Sequence, residues 1–133
     1  MPFYTQVAKT VILIDDDQDD LDIITDSIRA IDPVIHCINF IYPEEALRFL
    51  SGELIFIPNF VFIDINMPGM NGDKVLRSLR KNKDLDATII TMFSTSIPPA
   101  VAQALELEGA NHTFQKPNKI TDYQKLLSKI IGV

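Results

Sequence analysis

The sequence predicts an α/β fold: a five-stranded parallel sheet with helices on both faces, a doubly wound three-layer α/β/α arrangement. Two observations carry this. Short strand-like runs alternate five times with segments whose apolar residues recur at helical spacing. Right-handed crossovers then make the consecutive strands parallel and put helices on each side of them. A third observation sets the scale. The chain has 133 residues, 47% of them hydrophobic, with only five glycines and eight prolines. That suits one domain with its own core and argues against disorder. One domain over residues 1–133 is expected, with its core at about 10–131 and no output domain.

The elements follow in order. TVILI (Thr10–Ile14) is short, β-branched and apolar after its first position, as a strand buried on both faces reads. Leu21, Ile24, Ile28 and Ile31 are spaced by three, four and three, the apolar stripe of a helix. VIHCINF (Val34–Phe40) reads as a second strand. PEEALRFLSG (Pro43–Gly52) opens on Pro, keeps Ala46, Leu47 and Leu50 on one face and stops at Gly. FVFI (Phe60–Ile63) is the third strand. Val75, Leu76 and Leu79 mark a third helix, with Lys74, Arg77, Arg80 and Lys81 on its wet side. ATIITMF (Ala87–Phe93) is the fourth strand. Pro98 and Pro99 open a helix through Val101, Ala104 and Leu105 that Gly109 closes. HTFQ (His112–Gln115) is a short fifth strand. Tyr123, Leu126, Leu127, Ile130 and Ile131 make the last helix.

Composition excludes several functions. The net charge of −6 argues against nucleic acid, whose phosphates call for basic patches. No apolar run approaches the roughly 20 residues that span a bilayer, so no membrane partner is expected. Met1–Thr10 does not read as a signal peptide. Cys37 is the only cysteine, so no disulfide forms within the chain and a reducing, cytoplasmic setting is favoured. In its apolar run Cys37 reads as a small buried hydrophobe. His36 and His112 have no partner pattern around them.

In folds of this class ligands sit beyond the carboxyl ends of the strands. Four of the five strands end there on polar groups: Asp15 and Asp16, Asp64, Ser94, and Lys116. If one rim carries them all, three carboxylates meet one hydroxyl and one ammonium. Two negative charges about 4 Å apart repel by about 4 kcal/mol at an effective dielectric near 20. Such a cluster holds either extra protons or a cation. Its hard oxygen ligands suit Mg²⁺ or Ca²⁺ better than zinc. Lys116 suits a phosphoryl oxygen, Ser94 has a hydrogen bond to give another, and Asp64 is placed to be phosphorylated itself. Plainer roles exist for single members. Asp caps helix starts, and in the run Asp15–Asp22, with six Asp in eight residues, Asp17, Asp19, Asp20 and Asp22 are assigned mainly to that role. Ser94, Thr95 and Ser96 can cap the helix at Pro98, and Lys116 can be a loop lysine.

Taken together, Asp64-x-x-Met67-Pro68-x-Met70-x-Gly72, the acidic pair Asp15–Asp16, Ser94, and Lys116-Pro117 resemble the response regulator receiver domain of two-component signalling, the CheY-like family, in its stand-alone form. The resemblance runs from about Thr10 to Ile131. It implies a flavodoxin-like (βα)5 fold with strand order 2-1-3-4-5. It implies that Asp64 accepts a phosphoryl group from a sensor histidine kinase or a histidine phosphotransfer protein. Asp16 and Asp64 would ligate Mg²⁺, Asp15 would act mainly through water, and the backbone carbonyl of Asn66 would be the third protein ligand. Pro68, Gly69 and Gly72 would shape the loop that aims this carbonyl. Ser94 and Lys116 would bind the phosphoryl oxygens and pull the fourth strand and its loop inward, moving the face of helix four, strand five and helix five toward an unknown downstream protein. A monomer or a phosphorylation-dependent dimer is expected. The chain departs from the family at Thr113, three positions before the lysine, where many receivers carry an aromatic residue that rotates on activation. Phe114 is expected to face the core instead.

Three other functions use similar parts. A Mg²⁺-dependent aspartyl phosphohydrolase needs a second acid two residues after the nucleophile, where this chain has Asn66. A flavin module needs a phosphate cradle after strand one, where this chain has DDDQDD. An unphosphorylated receiver-like interaction module would not need the full set of site residues.

Overall fold

A computed structural model describes residues 8–132. Five parallel strands form one sheet: β1 (Thr10–Ile14), β2 (His36–Phe40), β3 (Phe60–Asp64), β4 (Ile89–Ser94) and β5 (His112–Gln115). Their order is β2-β1-β3-β4-β5, the doubly wound order expected. The helices are α1 (Gln18–Ile31), α2 (Pro43–Phe49), α3 (Gly72–Arg80), α4 (Pro99–Leu107) and α5 (Ile120–Ile131), with a short 3₁₀ turn at Lys83–Leu85.

The sheet divides the core in two because successive strand residues point to opposite faces. Val11, Leu13, Phe62 and Phe93 pack with Leu21, Ile24 and Ile28 of α1 and with Leu127 and Ile131 of α5. Ile12, Ile14, Val61, Ile63 and Met92 pack with Val75, Leu76 and Leu79 of α3 on the other face. Phe114 is buried, as expected, and stacks on Phe93 with ring centroids 5.5 Å apart; Thr113 is half-buried.

Several boundaries and faces differ from the sequence reading. β2 starts at His36, not Val34, because the Asp32 carboxylate accepts the Val34 N–H and turns the chain before it can pair. β4 starts at Ile89, not Ala87, after the 3₁₀ turn. α2 stops at Phe49, short of Gly52. Cys37 is half-buried rather than buried, since β2 is an edge strand; partial burial still pushes its thiol up. Arg80 does not lie on a wet face. Its guanidinium donates to the carbonyls of Gly109 (2.9 Å), Leu85 (2.8 Å) and Thr88 (3.0 Å) and to Asn111 Oδ1 (2.8 Å), tying α3 to the segment before β4 and to the loop between α4 and β5. In α4 only Leu105 is buried; Val101 and Ala104 are exposed, and Leu107 is 90% exposed. Among the described residues no helix is long and apolar enough to cross a membrane.

Candidate functional site

All five residues at the strand ends fall on one rim. β1 runs buried to Ile14, so the next residue, Asp15, starts the loop with no exposed surface. Its N–H donates to the Phe40 carbonyl of β2, which extends the sheet pairing by one residue. β3 carries Asp64 at its last position, 4% exposed and paired in register with Phe93. Ser94 closes β4 and is buried. The Lys116 N–H donates to the Ser94 carbonyl at 2.7 Å, which fixes the start of the β5–α5 loop against the end of β4.

Asp15, Asp16 and Asp64 each present a carboxylate oxygen, and these oxygens lie within 4.8 Å of one another. Asp16 is exposed and the other two are buried. Lys116 Nζ stands 3.2 Å from Asp15 Oδ2 and 3.5 Å from Asp64 Oδ2. Asp15 Oδ1 accepts the Asp17 N–H at 3.0 Å, but Asp15 Oδ2 is buried with no hydrogen bond, its contact with the ammonium being misaligned for one. Burial pushes the Asp15 carboxyl up to about 7, and the neighbouring Asp64 charge adds to the effect. Burial raises Asp64 as well, against the pull of Lys116. For Lys116 burial disfavours the charge, but the hydrogen bond to Asp20 and the charges of Asp15 and Asp64 outweigh it and raise the ammonium above the ordinary lysine range. The buried Tyr123 phenol is pushed up to about 12, first by burial and then by the Asp20 charge.

The donor set fits a hard divalent cation. It is three carboxylates, one of them offering a buried oxygen without a hydrogen bond, and oxygen-only sites suit Mg²⁺ or its analogues.

The loop after Asp64 has two glycines with definite work. Gly69 takes φ +81°, which an L side chain rarely adopts. Gly72 presses on the backbone of the site residue itself: its N–H donates to the Ile65 carbonyl at 2.8 Å, and its missing Cβ is what lets it approach. Met67 is buried in the α3-side core and Met70 packs against it, which anchors the turn between them.

Some expected roles change. Asp17 does cap α1, accepting the Asp19 N–H at 2.9 Å. Asp20 does more than favour the helix dipole: its Oδ2 accepts from Lys116 Nζ at 2.6 Å, the shortest contact of that ammonium. α4 has Pro98 as its N-cap with no side-chain hydrogen bond, so the serines before it do not cap it. The Asn66 side chain also enters the site, donating from Nδ2 to Ser94 Oγ at 2.8 Å, while its backbone N–H donates to Asp64 Oδ1 at 3.2 Å. The Ser94 hydroxyl proton is thereby left for another acceptor. His36 and His112 are exposed, away from these groups.

A 2-1-3-4-5 parallel sheet whose carboxyl rim holds an acidic pocket with a lysine across it defines the class of α/β signalling receivers. Residues 11–128 match the response regulator receiver domain, and the chain belongs to that family. The two-component response regulator ORR6 of Oryza sativa subsp. japonica is 31% identical over 86 residues, 64% of this chain and 50% of its own length. The chain spans half or less of the length of the first curated relatives it matches. Among solved structures, the chemotaxis response regulator CheY4 of Vibrio cholerae superposes with a TM-score of 0.79 at 21% identity, covering 92% of this chain and 98% of that one. The Mn²⁺-bound response regulator Rcp1 gives 0.78 at 23%, covering 92% and 91%. These two likenesses speak for the fold. Receiver domains are signalling domains, and the phosphohydrolase alternative is not favoured.

Proposed function

We propose that Asp64 is the phosphoacceptor of this receiver, and that Asp15, Asp16, Asp64 and the backbone carbonyl of Asn66 hold Mg²⁺ for the transfer. The observation that carries this is the convergence of three carboxylates within 4.8 Å, with the Lys116 ammonium 3.5 Å from Asp64. The related Rcp1 is described as Mn²⁺-bound, which supports a divalent site in this fold. When bound, Mg²⁺ supplies charge neutralisation between the acids and an incoming phosphoryl group.

The chain's own groups do the rest. The Asp64 carboxylate oxygen forms the O–P bond as the N–P bond of a phosphohistidine breaks, and the electron pair stays with the departing imidazole nitrogen. The donor is a sensor histidine kinase or a histidine phosphotransfer protein. Lys116 gives the added phosphoryl oxygens an ammonium, and Ser94 gives them a hydroxyl proton. Lys116 is tied through its N–H to the Ser94 carbonyl, so a shift of either residue is passed between β4 and the β5–α5 loop. α4 holds to the body through one buried residue, Leu105, so it belongs to the low-stability part of the fold that such shifts can move. The moved face of α4, β5 and α5 then docks on a downstream protein.

Beryllofluoride with Mg²⁺, which mimics the phosphoryl group, tests this. Amide signals of β4, β5 and the loops at the rim should shift in the native protein and stay still in Asp64→Asn. Asp16→Ala should weaken Mg²⁺ binding by about tenfold or more. A native protein that ignores both reagents would contradict the assignment.

A further inference from the structure

The hydrogen bond of Lys116 goes to neither carboxylate assigned to chemistry. Nζ donates to Asp20 Oδ2 at 2.6 Å, while Asp15 and Asp64 stand at 3.2 Å and 3.5 Å. Asp20 reaches from the third residue of α1, counted from its N-cap Asp17. An acid there commonly turns back to the N-cap amide. In this chain the Asp17 N–H already donates to Asp15 Oδ1 at 3.0 Å. The Asp20 carboxylate is therefore left for a lysine 96 residues away. The side chains of the pair are only 10% and 22% exposed, so solvent screens it less than a surface pair.

We propose that Asp20 is a positioning residue of the receiver switch, holding the Lys116 ammonium in the unphosphorylated protein and competing with the phosphoryl group for it. This rests on the receiver function proposed above. A lysine has three donor protons and no acceptor, and its strongest partner decides where it points. In the resting protein that partner is Asp20, on α1. A phosphoryl group on Asp64 adds a second strong partner, on the β3 side of the pocket. To reach it, the ammonium must lengthen or give up the Asp20 bond. Asp20 thus opposes the displacement that Lys116 hands to β4 and the β5–α5 loop through the Ser94 carbonyl. Its strength sets what fraction of the modified protein takes up the active arrangement. Asp15 cannot replace it in this role, because Asp15 belongs to the acidic trio that the cation engages.

Four proteins separate this from a general charge effect: the native chain, Asp20→Asn, Asp20→Glu and Asp19→Asn. Asp19 lies beside Asp20 in the same first turn, exposed, and Asp19→Asn removes the same charge without touching Lys116. Each is titrated with beryllofluoride at saturating Mg²⁺, with the amide signals of β4 and the β5–α5 loop as the readout. Asp20→Asn should reach its end point at about tenfold lower beryllofluoride, a coupling typical of linked sites. Asp20→Glu, which keeps a carboxylate for Lys116, and Asp19→Asn, which removes only an exposed charge of little weight, should stay within about twofold of the native chain. In the metal-free protein, the bonded ammonium of Lys116 should give its own nitrogen signal in the native chain and in Asp20→Glu, and lose it in Asp20→Asn. Equal responses from Asp20→Asn and Asp19→Asn, or weaker binding by Asp20→Asn, overturn the proposal. A native chain that does not respond overturns the receiver assignment as a whole, so the two failures are told apart.

Discussion

Gly72 rests directly on the backbone of Asp64. A Cβ at residue 72 would collide with the Asp64 carbonyl oxygen and stand 2.8 Å from Ile65 Cα, both of them main-chain atoms that cannot swing aside. The first residue of α3 is thus what sets the position of the last residue of β3.

Replacing Gly72 with Ala should therefore disturb both stability and the site. Overpacking against backbone typically costs about 1–3 kcal/mol, and a urea titration should show a loss of this size. Beryllofluoride affinity should fall with it, because Asp64 must shift. A Gly72→Ala protein with native stability and affinity would mean that the loop yields freely there.

The acidic pocket should give the metal-free protein a distinctive pH dependence. The ordinary value for a free Asp is near 3.8, and burial raises Asp15 to about 7 in the folded chain. Between these values the folded protein holds a proton that the unfolded chain has lost. The contribution of Asp15 to stability is therefore greatest below about pH 4 and falls as pH rises toward 7, by about 2–4 kcal/mol at the upper end. Lys116 stays charged in both states across this window and adds no slope. Denaturation of the native chain and Asp15→Asn at pH 4.5 and pH 7.5 checks this: the native chain should lose stability relative to the variant at the higher pH. Adding Mg²⁺ should remove most of the difference.

Lys116→Ala should separate modification from signalling. Beryllofluoride should still bind at Asp64, more weakly, while the β5–α5 loop signals no longer follow. At pH 7.5 without metal the variant should lose about 1–3 kcal/mol, since three carboxylates lose their shared cation. A full loop response in this variant would make the lysine a bystander.

Arg80 tests the frame apart from the chemistry. Arg80→Ala removes four hydrogen bonds and leaves the Gly109 and Thr88 carbonyls without a donor among the described residues, while the Leu85 carbonyl keeps the Thr88 N–H and Asn111 Oδ1 keeps the Ile90 N–H; it should cost about 2–4 kcal/mol. Arg80→Lys should restore little, because one ammonium cannot copy a fork that serves four acceptors. Beryllofluoride binding by the folded fraction should be nearly native in both, since none of these contacts touches the pocket.

Much of this was legible in the chain because strand ends leave marks. FVFI leading into Asp64, TVILI into Asp15, and HTFQ into Lys116 place their polar residues at one rim once the strands are parallel, and no side-chain detail is needed. The Met67 and Met70 anchors and the glycines at 69 and 72 sit at fixed offsets from Asp64. What stayed hidden depends on pairing across the fold. Asp20 looks like any acid in the first turn of a helix, and nothing local says that its partner lies in the β5–α5 loop. Arg80 follows Arg77 at helical spacing and reads as a wet residue; only the packed fold, which brings the segment before β4 beside the α4–β5 loop, shows what it binds. α4 shows apolar residues at helical spacing, yet Val101 and Leu107 are left exposed. The Asn66–Ser94 bond joins residues 28 apart through a turn whose path periodicity does not reveal.

The most direct test of the central claim is to locate the phosphoryl group. The protein is incubated with acetyl phosphate or a phosphorylated histidine kinase, with and without Mg²⁺, and the modified residue is mapped by mass spectrometry. One phosphoryl group per chain is expected, on Asp64, dependent on Mg²⁺ and absent from Asp64→Asn. A modification that maps to another residue, or that persists in Asp64→Asn, would contradict the account.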